Sequence, residues 1–153
     1  SHNGATVIVD YAHTPDAYNK LFSSLKTLLP RGNRLGVIFG CGGDRDREKR
    51  PLMAAAAEAY ADKIYVAPDN PRTESIDTIN KDIARGFKKE SHSFHTDRGE
   101  AIREAVAWLK PEDILVIVGK GREDYQITGA ERMHHSDVET VKQIVKELAG
   151  DEN

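Results

Sequence analysis

Short runs of β-branched and aliphatic residues alternate along the chain with longer stretches in which apolar positions return every three or four residues. The first run, Thr6-Val7-Ile8-Val9, predicts a buried strand. Thr14-Pro15-Asp16 then predicts a helix start. Thr14 is the cap, and Pro15 takes the first helical position, where its missing N–H costs nothing. Ala17, Leu21, Leu25, Leu28 and Leu29 give that helix one apolar face, and Pro30, Gly32 and Asn33 end it. Leu35-Gly36-Val37-Ile38-Phe39 predicts a second strand, and Pro51 opens an alanine-rich helix to about Ala61. Ile64-Tyr65-Val66-Ala67 predicts a third strand, and Ile76, Ile79, Ile83 and Phe87 mark the next helix. Ser93-Phe94-His95 fits a short edge strand. Asp97 with Glu100 forms a capping box ahead of a helix reaching Leu109. Ile114-Leu115-Val116-Ile117-Val118 is the clearest strand, and Tyr125 to His134 reads as a hairpin turning at Gly129. Ser136 with Glu139 caps a last helix bearing Val138, Val141, Ile144, Val145 and Leu148. This alternation predicts an α/β, Rossmann-like domain over residues 1–153: a mostly parallel sheet with helices on both faces and an antiparallel edge hairpin.

Composition narrows the partners. Of 153 residues, 39% are hydrophobic and 31% charged, as in ordinary globular domains. A net charge of -3 and a pI near 6.1 favour neither nucleic acid nor an anionic membrane. The single cysteine, Cys41, allows no internal disulfide and suits a reducing cytoplasm. No apolar run approaches the roughly 20 residues that span a bilayer. No secretory signal is visible, and Ser1-His2-Asn3 fits the remnant of an expression tag.

In an open α/β sheet, ligands bind beyond the carboxyl ends of the strands. The unusual residues of this chain fall there. Asp10-Tyr11-Ala12-His13 follows the first strand and Gly40-Cys41-Gly42-Gly43-Asp44-Arg45 the second. Asp69-Asn70-Pro71-Arg72 follows the third strand, and Gly119-Lys120-Gly121-Arg122-Glu123 the long late one. The opposite connections look like plain turns. Glycines let backbone N–H groups approach a ligand, arginine forks suit carboxylates and phosphates, and Asp69, Asn70 and Glu123 offer acceptors. Together these loops suit a small zwitterionic ligand.

Blander readings compete at several positions. Asp10 and His13 fit simple fixing of the first helix, and Asp69 to Arg72 fits an Asn-Pro turn. Gly40 to Arg45 lacks the third glycine of a dinucleotide fingerprint, and Gly119-Lys120-Gly121 lacks the spacing and the following hydroxyl of a phosphate loop. Residues 45 to 50 fit a solvated charge run, the preferred reading for Arg47 and Glu48. Cys41 has no partner that would make it a nucleophile. His134 and His135 beside Asp137 lack a third ligand at metal spacing and read as surface histidines, so no metal site and no catalytic side chain are assigned.

Taken as a set, the loops resemble the Mur ligases. The carrying motifs are Asp10-Tyr11-Ala12-His13-Thr14-Pro15-Asp16, Gly40-Cys41-Gly42-Gly43-Asp44-Arg45-Asp46, Lys49-Arg50-Pro51-Leu52-Met53, Asp69-Asn70-Pro71-Arg72-Thr73-Glu74 and Gly119-Lys120-Gly121-Arg122-Glu123-Asp124-Tyr125-Gln126. They cover essentially the whole chain in order. The resemblance is narrower to the members that add diaminopimelate in peptidoglycan synthesis, and it is to the third of their three domains. It implies an ATP-dependent, amide-forming cytoplasmic ligase. The two absent domains would bind the UDP-N-acetylmuramoyl-dipeptide, the ATP phosphates and Mg2+. ATP would phosphorylate the substrate's glutamate carboxylate, and the incoming amine would attack the acyl phosphate.

By motif, the resemblance implies that Arg45, Asp69, Asn70, Pro71, Arg72, Gly119 and Glu123 contact meso-diaminopimelate. It implies that Asp10, Tyr11 and His13 meet ATP. Arg122 stands where the family usually has histidine. The expected partners are small molecules, with the protein a monomer and the isolated domain inactive. Two alternatives remain open: a folylpolyglutamate synthetase, which shares the architecture without the Asp-Asn-Pro-Arg signature, and a stand-alone, non-catalytic nucleotide- or metabolite-binding module.

Overall fold

The computed structural model describes residues 2–151. Ser1, Glu152 and Asn153 lie outside them, so the expectations of a tag remnant at Ser1 and of a domain over 1–153 reach beyond the described residues. Five parallel strands form one sheet: β1 (Thr6–Asp10), β2 (Leu35–Phe39), β3 (Lys63–Val66), β4 (His92–Phe94) and β5 (Ile114–Val118). Their order is β1-β5-β2-β3-β4. Five helices connect and cover them: α1 (Pro15–Leu28), α2 (Lys49–Tyr60), α3 (Ile76–Ala84), α4 (Arg98–Trp108) and α5 (Asp137–Asp151).

The period of two along the strands divides the core. Val37, Phe39, Ile64, Val66, Val116 and Val118 face one side, where they pack with Phe22 and Leu25 of α1, Met53 and Ala57 of α2, and Ile79 and Ile83 of α3. Ile38, Tyr65, Leu115 and Ile117 face the other side and meet Ile102 and Val106 of α4 and Ile144 of α5. The result is a three-layer α/β/α sandwich. β2 and β5 are buried along their whole length because each lies between two neighbours with helices on both faces.

Local cap chemistry sets the helix starts. Thr14 Oγ1 accepts from the Ala17 N–H at 3.1 Å, Asp97 Oδ1 from Glu100 N–H at 2.9 Å, and Ser136 Oγ from Glu139 N–H at 3.2 Å. α2 starts at Lys49, two positions before the proline expected to open it.

Three expectations need correction. Helix α1 buries Tyr18, Phe22 and Leu25 rather than the expected face of Ala17, Leu21, Leu25, Leu28 and Leu29, and Leu28 is 71% exposed. The first strand is half-buried rather than buried, because β1 is a sheet edge, with β5 its one strand neighbour among the described residues. The hairpin, β6 (Tyr125–Thr128) with β7 (Glu131–His134), is antiparallel as expected but forms its own two-stranded sheet. It is tied to the Asp69–Arg72 loop instead. Arg72 N–H donates to the Ile127 carbonyl at 3.0 Å, and Gly129 N–H donates to the Arg72 carbonyl.

Candidate functional site

The loops that follow β1, β2, β3 and β5 converge, with the start of α2, on one cleft of about 490 Å³. Of the residues expected to contact ligand, Tyr11, His13, Arg45, Asp69, Asn70, Arg72, Gly119 and Glu123 line it. Asp10 and Pro71 do not. The Asp10 carboxylate accepts from the Ala12 N–H at 2.8 Å, turning the chain out of β1, and the Asp10 carbonyl accepts from Gly119 N–H at 3.1 Å. Pro71 is buried, and its carbonyl accepts from Glu74 N–H at 3.1 Å.

Glycine has a specific task in this packing. Gly43 N–H donates to the Asn70 carbonyl at 2.8 Å, and a Cβ on Gly43 would collide with the Pro71 carbonyl oxygen. Gly119 has φ +109, and a Cβ there would stand 2.7 Å from Asp69 Oδ2. The loops after β2, β3 and β5 can approach this closely only with glycine at those positions.

The charges of the cleft fall into two sets. The internally paired set is buried. Lys120, with its side chain fully enclosed, places Nζ 3.1 Å from Asp69 Oδ1 and 3.9 Å from Glu123 Oε1, and donates to Asn70 Oδ1 at 2.9 Å and the Tyr125 carbonyl at 3.0 Å. Asn70 Oδ1 also accepts from Ile127 N–H at 2.9 Å, which locks the hairpin to this loop. Arg50, 1% exposed, bonds Glu74 through both terminal nitrogens, at 2.6 and 2.7 Å, and Asp82 at 2.9 Å. Hydrogen bonds from Arg50 hold the Glu74 carboxyl down at about 2, and those from Arg47 do the same for Asp82.

The second set faces the cleft uncompensated. Among the described residues, no carboxylate pairs with Arg45, Lys49 or Arg72, all of which line it. Arg72 is aimed by backbone carbonyls, its Nη1 donating to Gly43 at 3.0 Å and Asn70 at 3.3 Å. Its own φ of 54 is in the left-handed region, a strained conformation fixed by the hairpin bonds on either side of it. Arg45 is exposed and its Nη1 donates to the Asp44 carbonyl at 3.1 Å.

Sequence reasoning missed Lys120 and Tyr125. The signal for Lys120 was a lysine flanked by two glycines at a strand's carboxyl end; failure as a phosphate loop hid its role as an internal counter-ion. Tyr125 lines the cleft, its hydroxyl 3.5 Å from Glu123 Oε2, with Arg132 stacked on its ring at 3.8 Å. Arg47 is exposed, as a solvated charge run would have it, and its guanidinium also bonds both oxygens of buried Asp82.

At the rim formed by the loop after β1, Tyr11 is 56% exposed and meets His13 edge-on, ring centroids 5.0 Å apart. Arg122 is exposed. Cys41 is buried beside Met53, its thiol raised to about 12 by burial, which leaves no thiolate at neutral pH. His134 bonds Glu139 and His135 bonds Asp137. No described helix is long and apolar enough to cross a membrane.

A family model described as the Mur ligase glutamate ligase domain matches residues 1–121. A curated relative from Chlorobium phaeobacteroides, UDP-N-acetylmuramoyl-L-alanyl-D-glutamate--2,6-diaminopimelate ligase, is 47% identical over 146 residues, covering 95% of this chain and 28% of the relative. A solved structure of a ligase of that name superposes with a TM-score of 0.92 at 38% identity, over 97% of this chain and 31% of that one. The bifunctional folylpolyglutamate synthase/dihydrofolate synthase of Yersinia pestis, solved with AMPPNP and Mn ion, shares the fold at a TM-score of 0.57 and 20% identity, over 94% of this chain and 28% of that one. The chain thus spans less than a third of the length of these proteins.

Proposed function

The chain belongs to the Mur ligase family, and from that premise we propose that it is the domain that receives meso-diaminopimelate in an ATP-dependent ligase. The product of that ligase is UDP-N-acetylmuramoyl-L-alanyl-D-glutamate extended by diaminopimelate through a new amide, a step of peptidoglycan synthesis. The observation that carries the reading is the set of cations without a carboxylate partner among the described residues, Arg45, Lys49 and Arg72, facing a cleft in which two of the lining carboxylates, Asp69 and Glu123, already share Lys120.

Diaminopimelate is lysine with a second carboxylate on its far carbon. A desolvated arginine that is paired by this ligand and orphaned by lysine discriminates between the two, because the unmet partner costs more than the contact gains. Arg72 suits that role, with Arg45 beside it. The far ammonium falls to Glu123 more than to Asp69, since Asp69 holds Lys120 at 3.1 Å and Glu123 only at 3.9 Å. The near amine must be unprotonated to attack, so it belongs at the end of the cleft away from these carboxylates.

ATP supplies, when bound, the phosphorylation that activates the acceptor carboxylate. The residues of this chain fit its ribose and base rather than its phosphates. Exposed Tyr11 with His13 offers an aromatic edge, and Asp10 sits at the mouth of the same loop. No loop here has the spacing that cradles a triphosphate. Phosphate, Mg2+ and nucleotide-sugar contacts are assigned to the further domains of a longer protein, and this domain alone is taken to be inactive and monomeric. A folylpolyglutamate synthetase would offer its site to glutamate, which has no far ammonium for Glu123. The test is steady-state turnover of the ligase that carries this chain, with meso-diaminopimelate, lysine and glutamate in turn. Strong preference for diaminopimelate is expected; equal or better use of either other amino acid would sink the reading.

A further inference from the structure

We infer that Glu74 is a positioning residue for Arg72, acting through a latch that fastens the Arg72 loop to the glycine-rich loop opposite; the inference rests on the assignment of Arg72 to the diaminopimelate end of the cleft. Glu74 does not line the cleft and is mostly enclosed. Every part of it is committed to joining the two loops. Oε1 accepts from the Asp44 N–H at 3.0 Å and from Arg50 at 2.7 Å, and Oε2 accepts from Arg50 at 2.6 Å. The same Arg50 donates to the Gly42 carbonyl at 2.9 Å.

Asp44 returns the grip. Its Oδ2 accepts from the Thr73 N–H at 3.1 Å and from the Thr73 hydroxyl at 2.7 Å. Thr73 and Glu74 directly follow Arg72, so the chain on its C-terminal side is pinned to Asp44 and, through Arg50, to Gly42. Between those two residues lies Gly43, whose carbonyl accepts from Arg72 Nη1. The carbonyl that aims the guanidinium is thus held between the two points that Glu74 ties down. Losing the Glu74 charge leaves Asp82 as the carboxylate partner of Arg50, leaves one acceptor oxygen where Asp44 N–H and Arg50 now share two, and lets the glycine loop drift from Arg72. A displacement near 1 Å in such a positioning contact can cost on the order of 100-fold in rate.

Glu74→Gln removes the charge from the inside. Asp44→Asn weakens the latch from the surface. Asparagine tolerates the left-handed backbone found at Asp44, φ 55, so that variant keeps the fold even where Glu74→Gln proves too costly. Two readouts apply. In 1H–15N spectra of this chain, the Arg72 side-chain Nε resonance, identified by its loss in Arg72→Ala, is expected to shift in both variants. An unmoved resonance would overturn the latch whatever the ligand.

In the full ligase, both variants are expected to lower kcat/KM for diaminopimelate by about tenfold to 100-fold, mainly through KM. The KM for ATP and the use of lysine should stay within about threefold of wild type. Combined with Arg72→Ala, Glu74→Gln should then add less than about threefold, because coupled residues are non-additive. Losses that multiply with Arg72→Ala, or that fall equally on both amino acids, would reduce Glu74 to a structural residue and overturn the inference. A shifted resonance together with no selective effect of Arg72→Ala would leave the latch standing and remove the diaminopimelate assignment instead.

Discussion

Asp137→Asn attacks the ion pair that ties the far helical layer to the site loops. Arg98 of α4 and Asp137 of α5 have fully enclosed side chains, and Arg98 Nε and Nη2 bond the two Asp137 oxygens, each at 2.8 Å. The remaining Arg98 donors reach the carbonyls of Pro68, at 3.3 Å, and Val118, at 3.1 Å. Val118 ends β5 immediately before Gly119, and Pro68 lies two residues past β3 immediately before Asp69. Asparagine keeps one acceptor but turns an N–H pair toward the guanidinium and leaves its charge unmatched. Breaking a buried pair from one side costs about 3–5 kcal/mol, a large part of the roughly 5–15 kcal/mol that holds a domain folded. At about 2–4 °C per kcal/mol for a chain of this size, Tm should fall by roughly 6–20 °C.

The pair also gives an acid signature. Burial would raise the Asp137 carboxyl, but hydrogen bonds and charge from Arg98, with His135 adding to them, hold it well below its ordinary 3.8. The folded state therefore binds this proton less readily than the unfolded state, so the stabilisation is present above pH 3.8 and is lost as pH falls below it. The assay is thermal and urea unfolding of the chain from pH 7 down to the acid limb, wild type against Asp137→Asn. The variant should be weaker at neutral pH and should lose less on acidification. A loss under about 1 kcal/mol at pH 7, the scale of a surface pair, would refute the reasoning.

Three further outcomes are expected. Lys120→Met leaves Asp69 and Asn70 Oδ1 without their buried donor and should destabilise by about 3–5 kcal/mol, read by urea unfolding, and unchanged stability would mean that Asp69 is held by other means. Asp10→Ala in the full ligase should raise the KM for ATP more than that for diaminopimelate, and unchanged ATP kinetics in a folded variant would remove Asp10 from the nucleotide edge. The isolated chain should release phosphate from ATP only at background rate with all substrates present; robust hydrolysis would contradict the division of labour with further domains.

Much of the fold was legible because its signals are local. Leu35–Phe39 and Ile114–Val118 are continuous apolar runs that only a doubly covered parallel strand requires, and Thr14, Asp97 and Ser136 cap through bonds three residues long. The edge position of β1 was hidden, since Thr6 to Val9 is as apolar as a central strand and strand order is set by crossovers. The shared rim of the site was legible from where glycine and charge fall after the strands. Its internal electrostatics were not. Arg50 belongs to a run that fits a solvated charge cluster and Lys120 to a loop that fails as a phosphate loop, yet both are buried by partners remote in sequence, Asp82 and Glu74 for one and Asp69 for the other. Period and propensity carry no record of such pairs, so the sequence offered Asp69 to the ligand when the fold had already given one of its oxygens to Lys120.

The most direct measurement is kcat/KM for meso-diaminopimelate and for lysine in the full ligase, wild type against Arg72→Ala and Arg72→Lys. Removing one partner of a desolvated charge pair costs about 2–5 kcal/mol, which is a loss of roughly 30-fold to several thousand-fold for diaminopimelate. Lysine never engages the pair and should lose far less, so discrimination collapses. Arg72→Lys should recover only part of the loss, because a point charge cannot reproduce the fork. Equal losses for both amino acids would contradict the assignment and return Arg72 to a role in the fold or at the end of the ligand that the two share.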